Sequence, residues 1–301
     1  MGAIGKSLKR LEDRALLLGQ GRFAADLHRA GELTMRVVRS SIAFGRIRSI
    51  DTRAARRAPG VIAVWTFADV DQLPPIDFRQ MKFGGLERYR QSVLAHDYVR
   101  YVGDPVAVVF ADSVFAAEDA AELVQCELDA LTPYLDPTRD PPAFMPETQP
   151  DLRCEAALIV KEYGDLAAAY VRAERVVELE VAVGRHSGVP METRGALAYF
   201  DPANGRLTML GASKIPHLNR NAIAAMLDMP LEMVQFYEGH VGGGFGVRGE
   251  LYPEDVLVCH AAMRLKRPVR WIEDRHEHLI AANHSRDQLH RLRAAVDANG
   301  F

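Results

Sequence analysis

Gly242, Gly243, Gly244 and Gly246 surround Phe245 in one short stretch. Glycine is costly to order and adds nothing to a core. Such a cluster is expected where backbone comes very close to a ligand, often an anion held by main-chain N–H groups. Gly244, Gly246 and Gly249 also fit G-x-G-x-x-G, with Glu273 and Asp274 at about the distance of a ribose-binding acid. That reading points to dinucleotide chemistry, but it calls for neighbouring βαβ units and leaves Phe245 and the extra glycines unexplained. A glycine-rich turn without a ligand is the structural alternative. His276, Glu277, His278 and His284 carry metal-ligand chemistry, yet His276 and Glu277 sit in a mixed-charge stretch expected to face solvent, so a structural or surface role is favoured for the group. Cys126, Cys154 and Cys259 are too far apart for a local zinc or iron–sulfur motif and are expected as small buried residues. Glu192 and Arg194, two apart, read as an exposed or paired structural set. No residue is assigned as the catalytic acid or base, and none as a metal ligand.

The elements that must hold this loop follow from patterning. Residues 234–241, rich in β-branched and aromatic side chains, predict a strand. Pro253 marks a helix start, with Val256, Leu257, Ala261, Met263 and Leu265 running through the helix. Residues 268–273 predict a second strand. Upstream, strands are expected at 33–42 and 61–67, a short helix at 49–58 and an irregular excursion at 69–92 with Pro74, Pro75, Gly84 and Gly85. Residues 101–111 read as a turn and a buried strand, followed by a helix capped by Ser113 that runs through Cys126. Six prolines, Pro133, Pro137, Pro141, Pro142, Pro146 and Pro150, mark a linker. Beyond it come a partly helical stretch at 155–170 and a strand at 175–183. A hairpin follows around Asp201-Pro-Ala-Asn-Gly205, then a helix at 219–227 and a strand at 289–296 before a turn at Asp297–Gly300.

The chain of 301 residues, with a net charge of −3, has the composition of a globular protein and does not favour nucleic acid as a partner. No apolar stretch is long enough to span a bilayer and no secretory signal is evident, so a cytoplasmic location is expected.

Val241-Gly-Gly-Gly-Phe-Gly246, the following helix and Arg267-Pro-Val-Arg-Trp-Ile-Glu-Asp274 resemble the molybdopterin-binding large subunit of the xanthine dehydrogenase, aldehyde oxidase and carbon monoxide dehydrogenase family. Tyr101-Val-Gly-Asp-Pro-Val-Ala107 resembles that family's α/β hammerhead domain. The resemblance implies an α+β chain: an arm and hammerhead domain over 1–131, a linker over 132–153, and the first part of a molybdopterin-binding domain over 154–301. It implies that Gly243, Gly244, Phe245 and Gly246 contact the molybdenum–molybdopterin cofactor, the cytosine dinucleotide form being one candidate. Lys214 stands where the family usually has a Gln that donates to an oxo ligand of molybdenum. Glu250 lies one residue later than the family's substrate-contacting Glu, which leaves its role open. The resemblance covers only the first part of the family subunit, and the turn at the end with no returning strand reads the same way. Implied partners are a 2Fe-2S subunit, an FAD subunit, a chain carrying the missing C-terminal half and a small-molecule substrate. The implied function is part of a molybdenum-dependent hydroxylase or dehydrogenase of aldehydes or N-heterocycles. A nicotinamide-dependent dehydrogenase and a non-catalytic scaffold subunit are the alternatives.

Overall fold

The computed structural model describes residues 2–78, 85–136, 138–145 and 149–300; Gly84, Pro137 and Pro146 lie outside the described residues. In chain order the strands are β1 Leu33–Arg39, β2 Gly45–Asp51, β3 Val61–Trp65, β4 Tyr98–Val99, β5 Pro105–Ala111, β6 Gln125–Ala130, β7 Ala143–Met145, β8 Gln149–Arg153, β9 Arg175–Val183, β10 Gly195–Asp201, β11 Arg206–Gly211, β12 Val234–Tyr237, β13 Val269–Ile272 and β14 Gln288–Val296. The helices are α1 Asp13–Leu17, α2 Val114–Glu122, α3 Leu166–Arg172, α4 Pro216–Met226, α5 Pro253–Leu265 and α6 Arg275–Ala281. They form two compact units. The larger comprises Met1–Arg79, Gln91–Thr132 and Gly188–Ala282; the smaller comprises Gln80–Arg90, Pro133–Ser187 and Asn283–Phe301.

The larger unit is built on a seven-stranded mixed sheet in the order β12-β11-β10-β13-β1-β5-β3. Strand β5 is buried along its whole length. Its alternate side chains serve two cores: Val108 and Phe110 face one, Ala107 and Val109 the other. The first core joins Leu33, Met35, Val37, Met209 and Trp271 to α4 and to α5 through Val256, Leu257 and Cys259. Each such buried Val, Leu or Phe stabilises the fold by roughly 1.5–3 kcal/mol. Helix α2 covers the other face with Ala117 and Ala120, and Ser113 Oγ caps it by accepting the Ala116 N–H at 3.1 Å. Helix α5 is buried nearly all round, as expected of a helix surrounded by protein.

The smaller unit holds a two-stranded antiparallel ribbon, β9 with β14, from Val183 opposite Gln288 to Arg175 opposite Val296. Val177, Leu179, Val181 and Val183 share one face with Leu292, and all are exposed. The opposite face carries the cross-strand pairs Glu180–Arg291 at 2.9 Å and Glu178–Arg293 at 2.6 Å.

Several expectations are corrected. The helix expected at 49–58 is instead β2 plus a 3-10 turn at Ala55–Arg57. Ile47 and Ile50 pack with Cys126 and Leu128 in a third small core, and that tertiary contact overrides helix propensity. The helix expected through Cys126 stops at Glu122, because residues 125–130 alternate onto this core as β6 and pair with β2. Val114 and Phe115, in the first turn of that helix, are exposed. The strand expected at 234–241 ends at Tyr237. Beyond it the His240 N–H leaves the sheet and donates to the Arg22 carbonyl at 3.1 Å. Within 155–170 the helix begins only at Leu166, capped by Asp165, and the proline-rich stretch carries the short hairpin β7–β8.

Candidate functional site

The glycine loop leaves β12 and returns to the sheet through α5 and β13. Gly243 at φ +105° and Gly246 at φ +96° take backbone conformations that L side chains rarely adopt. Phe245 between them is also left-handed, at φ +46°, and is 77% exposed. An aromatic residue held in that region without burial is a strained arrangement, and strain of this kind gathers at ligand sites. Gly244 differs from its neighbours. Its φ lies outside the left-handed region, and a Cβ there would meet nothing within 4 Å. Nothing internal requires glycine at 244. Among the described residues, no acceptor takes a hydrogen bond from the N–H groups of Gly243, Gly244, Phe245 or Gly246. Open main-chain donors beside an unobstructed glycine form a cradle fitted to an anionic or oxygen-rich group.

Below the loop runs a ladder of buried charges. Arg36 pairs with Glu277 at 2.8 Å, and Arg39 pairs with Glu277 at 2.9 Å and Glu254 at 2.7 Å. Arg194 pairs with Glu254 at 3.2 Å and with Glu273 through Nε at 3.0 Å. Glu273 also contacts His278 Nδ1 at 2.8 Å. Signs alternate, so each buried carboxylate meets a cation. Burial raises the Glu273 pKa, but the His278 hydrogen bond and the Arg194 guanidinium outweigh it and hold the group at about 2. The ladder anchors the ends of β1, β10 and β13 to the first turn of α5 and to α6.

Beside the ladder lies a cleft lined by Ser213, Asn219, Arg248, Glu250 and Asp255, among others. Asp255 sits in the first turn of α5, where burial raises its pKa to about 7 although it accepts the Tyr252 N–H at 3.1 Å. Lys214 reaches the foot of the loop by its main chain, its N–H donating to the Arg248 carbonyl at 3.0 Å. Its residue is exposed and is not among the cleft-lining side chains.

The structure thus keeps Gly243–Gly246 in one loop and bonds the Lys214 main chain to Arg248, two residues beyond it. It does not support the dinucleotide fingerprint: β12 and β13 are separated in the sheet by β11 and β10, and the first turn of α5 is filled by its own acids, Glu254 and Asp255. Glu277, expected to face solvent, is buried between Arg36 and Arg39, and His278 is buried against Glu273. Of the cysteines, Cys259 is buried while Cys126 and Cys154 are only partly so. Sequence reasoning passed over Glu192, Arg248 and Glu254 as site-forming groups, and read Glu273 as a ribose-binding acid where it is instead a buried partner of Arg194 and His278. Glu192 and Arg194 are indeed paired, but with different partners, Arg248 and the Glu254–Glu273 couple. Glu254 carried a usable signal, as one of two acids in the first turn of a helix whose later residues are mostly apolar.

Two family models match the chain: the aldehyde oxidase and xanthine dehydrogenase a/b hammerhead domain over residues 18–132, and the molybdopterin cofactor-binding domain over 149–301. The 6-hydroxypseudooxynicotine dehydrogenase complex subunit gamma of Paenarthrobacter nicotinovorans is 40% identical, over 99% of this chain and 38% of its own length. The nicotine 6-hydroxylase large subunit of the same organism is 38% identical, over 99% of this chain and 36% of its own. Quinoline 2-oxidoreductase from Pseudomonas putida 86 superposes with a TM-score of 0.84 at 35% identity, over 98% of this chain and 38% of that one. The chain therefore spans well under half the length of these relatives.

Proposed function

The chain belongs to the molybdopterin-binding large-subunit family of the aldehyde oxidases and xanthine dehydrogenases, and from that premise we propose that it builds part of a molybdenum-dependent oxidoreductase. Gly243, Gly244, Phe245 and Gly246 are the residues that would hold the cofactor, with Lys214 beside them. The observation that carries this reading is Gly244, a glycine with open space where its Cβ would be and no conformational need of its own. When bound, the cofactor supplies insertion of an oxygen atom at an electron-poor carbon of the substrate with removal of two electrons. The protein's own part is to offer main-chain N–H donors at the loop and to hold them rigidly from below. The ring of Phe245, largely exposed, would flank the group held there.

The relatives named for nicotine and quinoline favour an N-heterocycle over an aldehyde as substrate. In this reading residues 1–131 supply the arm and hammerhead, 132–153 the linker, and 154–301 the first part of the cofactor-binding region. The cofactor takes a dinucleotide form, the cytosine form being the one to test first. Electrons leave for partner subunits carrying 2Fe-2S and FAD centres. The bare apolar face of the β9–β14 ribbon suits the polypeptide that corresponds to the remaining length of the relatives. We place the assembly in the cytoplasm; no helix among the described residues is long and apolar enough to cross a membrane.

The test is the molybdenum and pterin content of the chain isolated from its native host with its co-purifying subunits. Stoichiometric molybdenum that is lost in Gly244→Ala, with thermal stability kept, supports the reading; turnover of N-heterocycles against aldehydes then separates the substrate classes. Absence of molybdenum with intact partner subunits overturns it in favour of a scaffold role.

A further inference from the structure

The glycine loop is tied at its base by one buried ion pair. Arg248 Nε donates to the Gly243 carbonyl at 2.8 Å. Its Nη2 lies 2.8 Å from the Glu192 carbonyl, 2.9 Å from the Thr193 carbonyl and 3.0 Å from Glu192 Oε2. Glu192 completes the tie. Its Oε2 accepts the Gly242 N–H at 2.8 Å, its Oε1 accepts the Ala24 N–H at 2.9 Å, and its own N–H donates to the Gly242 carbonyl at 3.2 Å. Both side chains are withdrawn from solvent, at 2% and 9% exposure. The loop is thus fixed where it begins, at Gly242 and Gly243, by the residue on which it ends. Only Gly244, Phe245 and Gly246 project from the closed base.

We propose that Arg248 and Glu192 are positioning residues that set the curvature of the loop and thereby the aim of its free N–H groups. The assignment of the ligand as the molybdenum cofactor rests on the reading above; the latch itself does not. A planar guanidinium suits the task because it spans several carbonyl acceptors in one plane, which a lysine ammonium does not reproduce. Gly242 belongs to the same device for a different reason. A Cβ there would stand 2.5 Å from Glu192 Cβ, so only glycine lets the carboxylate reach the loop. Arg194, close in sequence and equally buried, is occupied by Glu254 and Glu273 and makes no bond to the loop. Loop positioning and scaffold stability therefore fall to different arginines.

The test is amide hydrogen exchange at Gly242 and Val247 in the full chain, read against the amides of β5. Arg248→Met and Gly242→Ala each speed exchange at these two positions by about tenfold or more while β5 keeps its protection. Arg248→Lys, the variant most certain to fold, gives a smaller increase in the same place. Arg36→Met, a change in the ladder away from the loop, leaves the two loop amides as slow as in the wild type. Wild-type exchange at Gly242 and Val247 in folded Arg248→Met overturns the latch. In the native complex, molybdenum and pterin content falls severalfold in Arg248→Met and is partly restored in Arg248→Lys. Unchanged content with a loosened loop overturns the positioning role. If the wild-type complex holds no molybdenum, the functional reading fails and the exchange result decides the latch alone.

Discussion

Strand β5 of the larger unit buries all seven of its residues, whereas β9 of the smaller unit buries none of its nine. Both are rich in valine, and both alternate side chains between two faces. What differs is cover. β5 lies between α2 on one side and α5 on the other, with β1 and β3 at its edges. Among the described residues, the sheet of β9 holds only β14 beside it, and its charged face satisfies itself through Glu178–Arg293 and Glu180–Arg291. The comparison teaches that apolar periodicity specifies which face wants burial and says nothing about what supplies it. A two-stranded ribbon with a bare apolar face is marginal in water by itself.

The contrast can be broken first at its strongest point. Trp271→Ala, removing the largest fully buried side chain of the larger unit, is expected to lower stability to urea by about 3–5 kcal/mol. A loss below about 1 kcal/mol would show that the core is not packed as described. Arg194→Met comes next, because it strands Glu254 and Glu273 without their shared cation; the expected loss is about 3–5 kcal/mol, and Arg194→Lys recovers part of it.

A pH titration sharpens the same point. Glu273 is held at about 2 against an ordinary 4.5. A carboxylate with a depressed folded-state pKa contributes stability above its unfolded value, and that contribution is lost as pH falls from about 4.5 towards about 2. Unfolding followed across this window should show a loss on the order of 3 kcal/mol that Glu273→Gln lacks. An identical acid limb in both proteins would remove Glu273 from the account. The smallest effect belongs to the ribbon: Leu292→Ala or Val181→Ala should change the stability of the chain alone by no more than about 0.5 kcal/mol. A loss comparable to Trp271→Ala would mean that this face is already covered.

The local grammar around the loop was legible before any coordinates. Pro253 starting α5, Ser113 capping α2 and the turn between β10 and β11 each follow from chemistry confined to a few residues. β2 and β6 were not legible, because their reason to be strands is a shared core of Ile47, Ile50, Cys126 and Leu128 whose members are distant in sequence. The charge ladder was hidden for the same reason. Glu277 looks like a surface acid and Glu273 like a ligand-binding one until β1 and α5 deliver Arg39 and Glu254 between them. For the loop, the glycines announced a close approach, but the groups that hold it, Glu192 and Arg248, are 56 positions apart and meet only once the sheet has formed.

The place of β13 in the sheet sets a timetable for synthesis. Leu33 pairs with Val269 and Thr34 with Arg270, in parallel, so one edge of β1 is filled by a strand that leaves the ribosome long after the hammerhead stretch ends. At the usual pace of translation that delay is roughly 10 seconds or more. During it, β1 presents an unpaired edge next to the apolar side chains of Leu33, Met35 and Val37, the kind of surface that invites association with other nascent chains. The region matched as a hammerhead shares its sheet with a strand from beyond it, and fragments ending near residue 132 should need a chaperone, or the later strand supplied in trans, to stay dispersed.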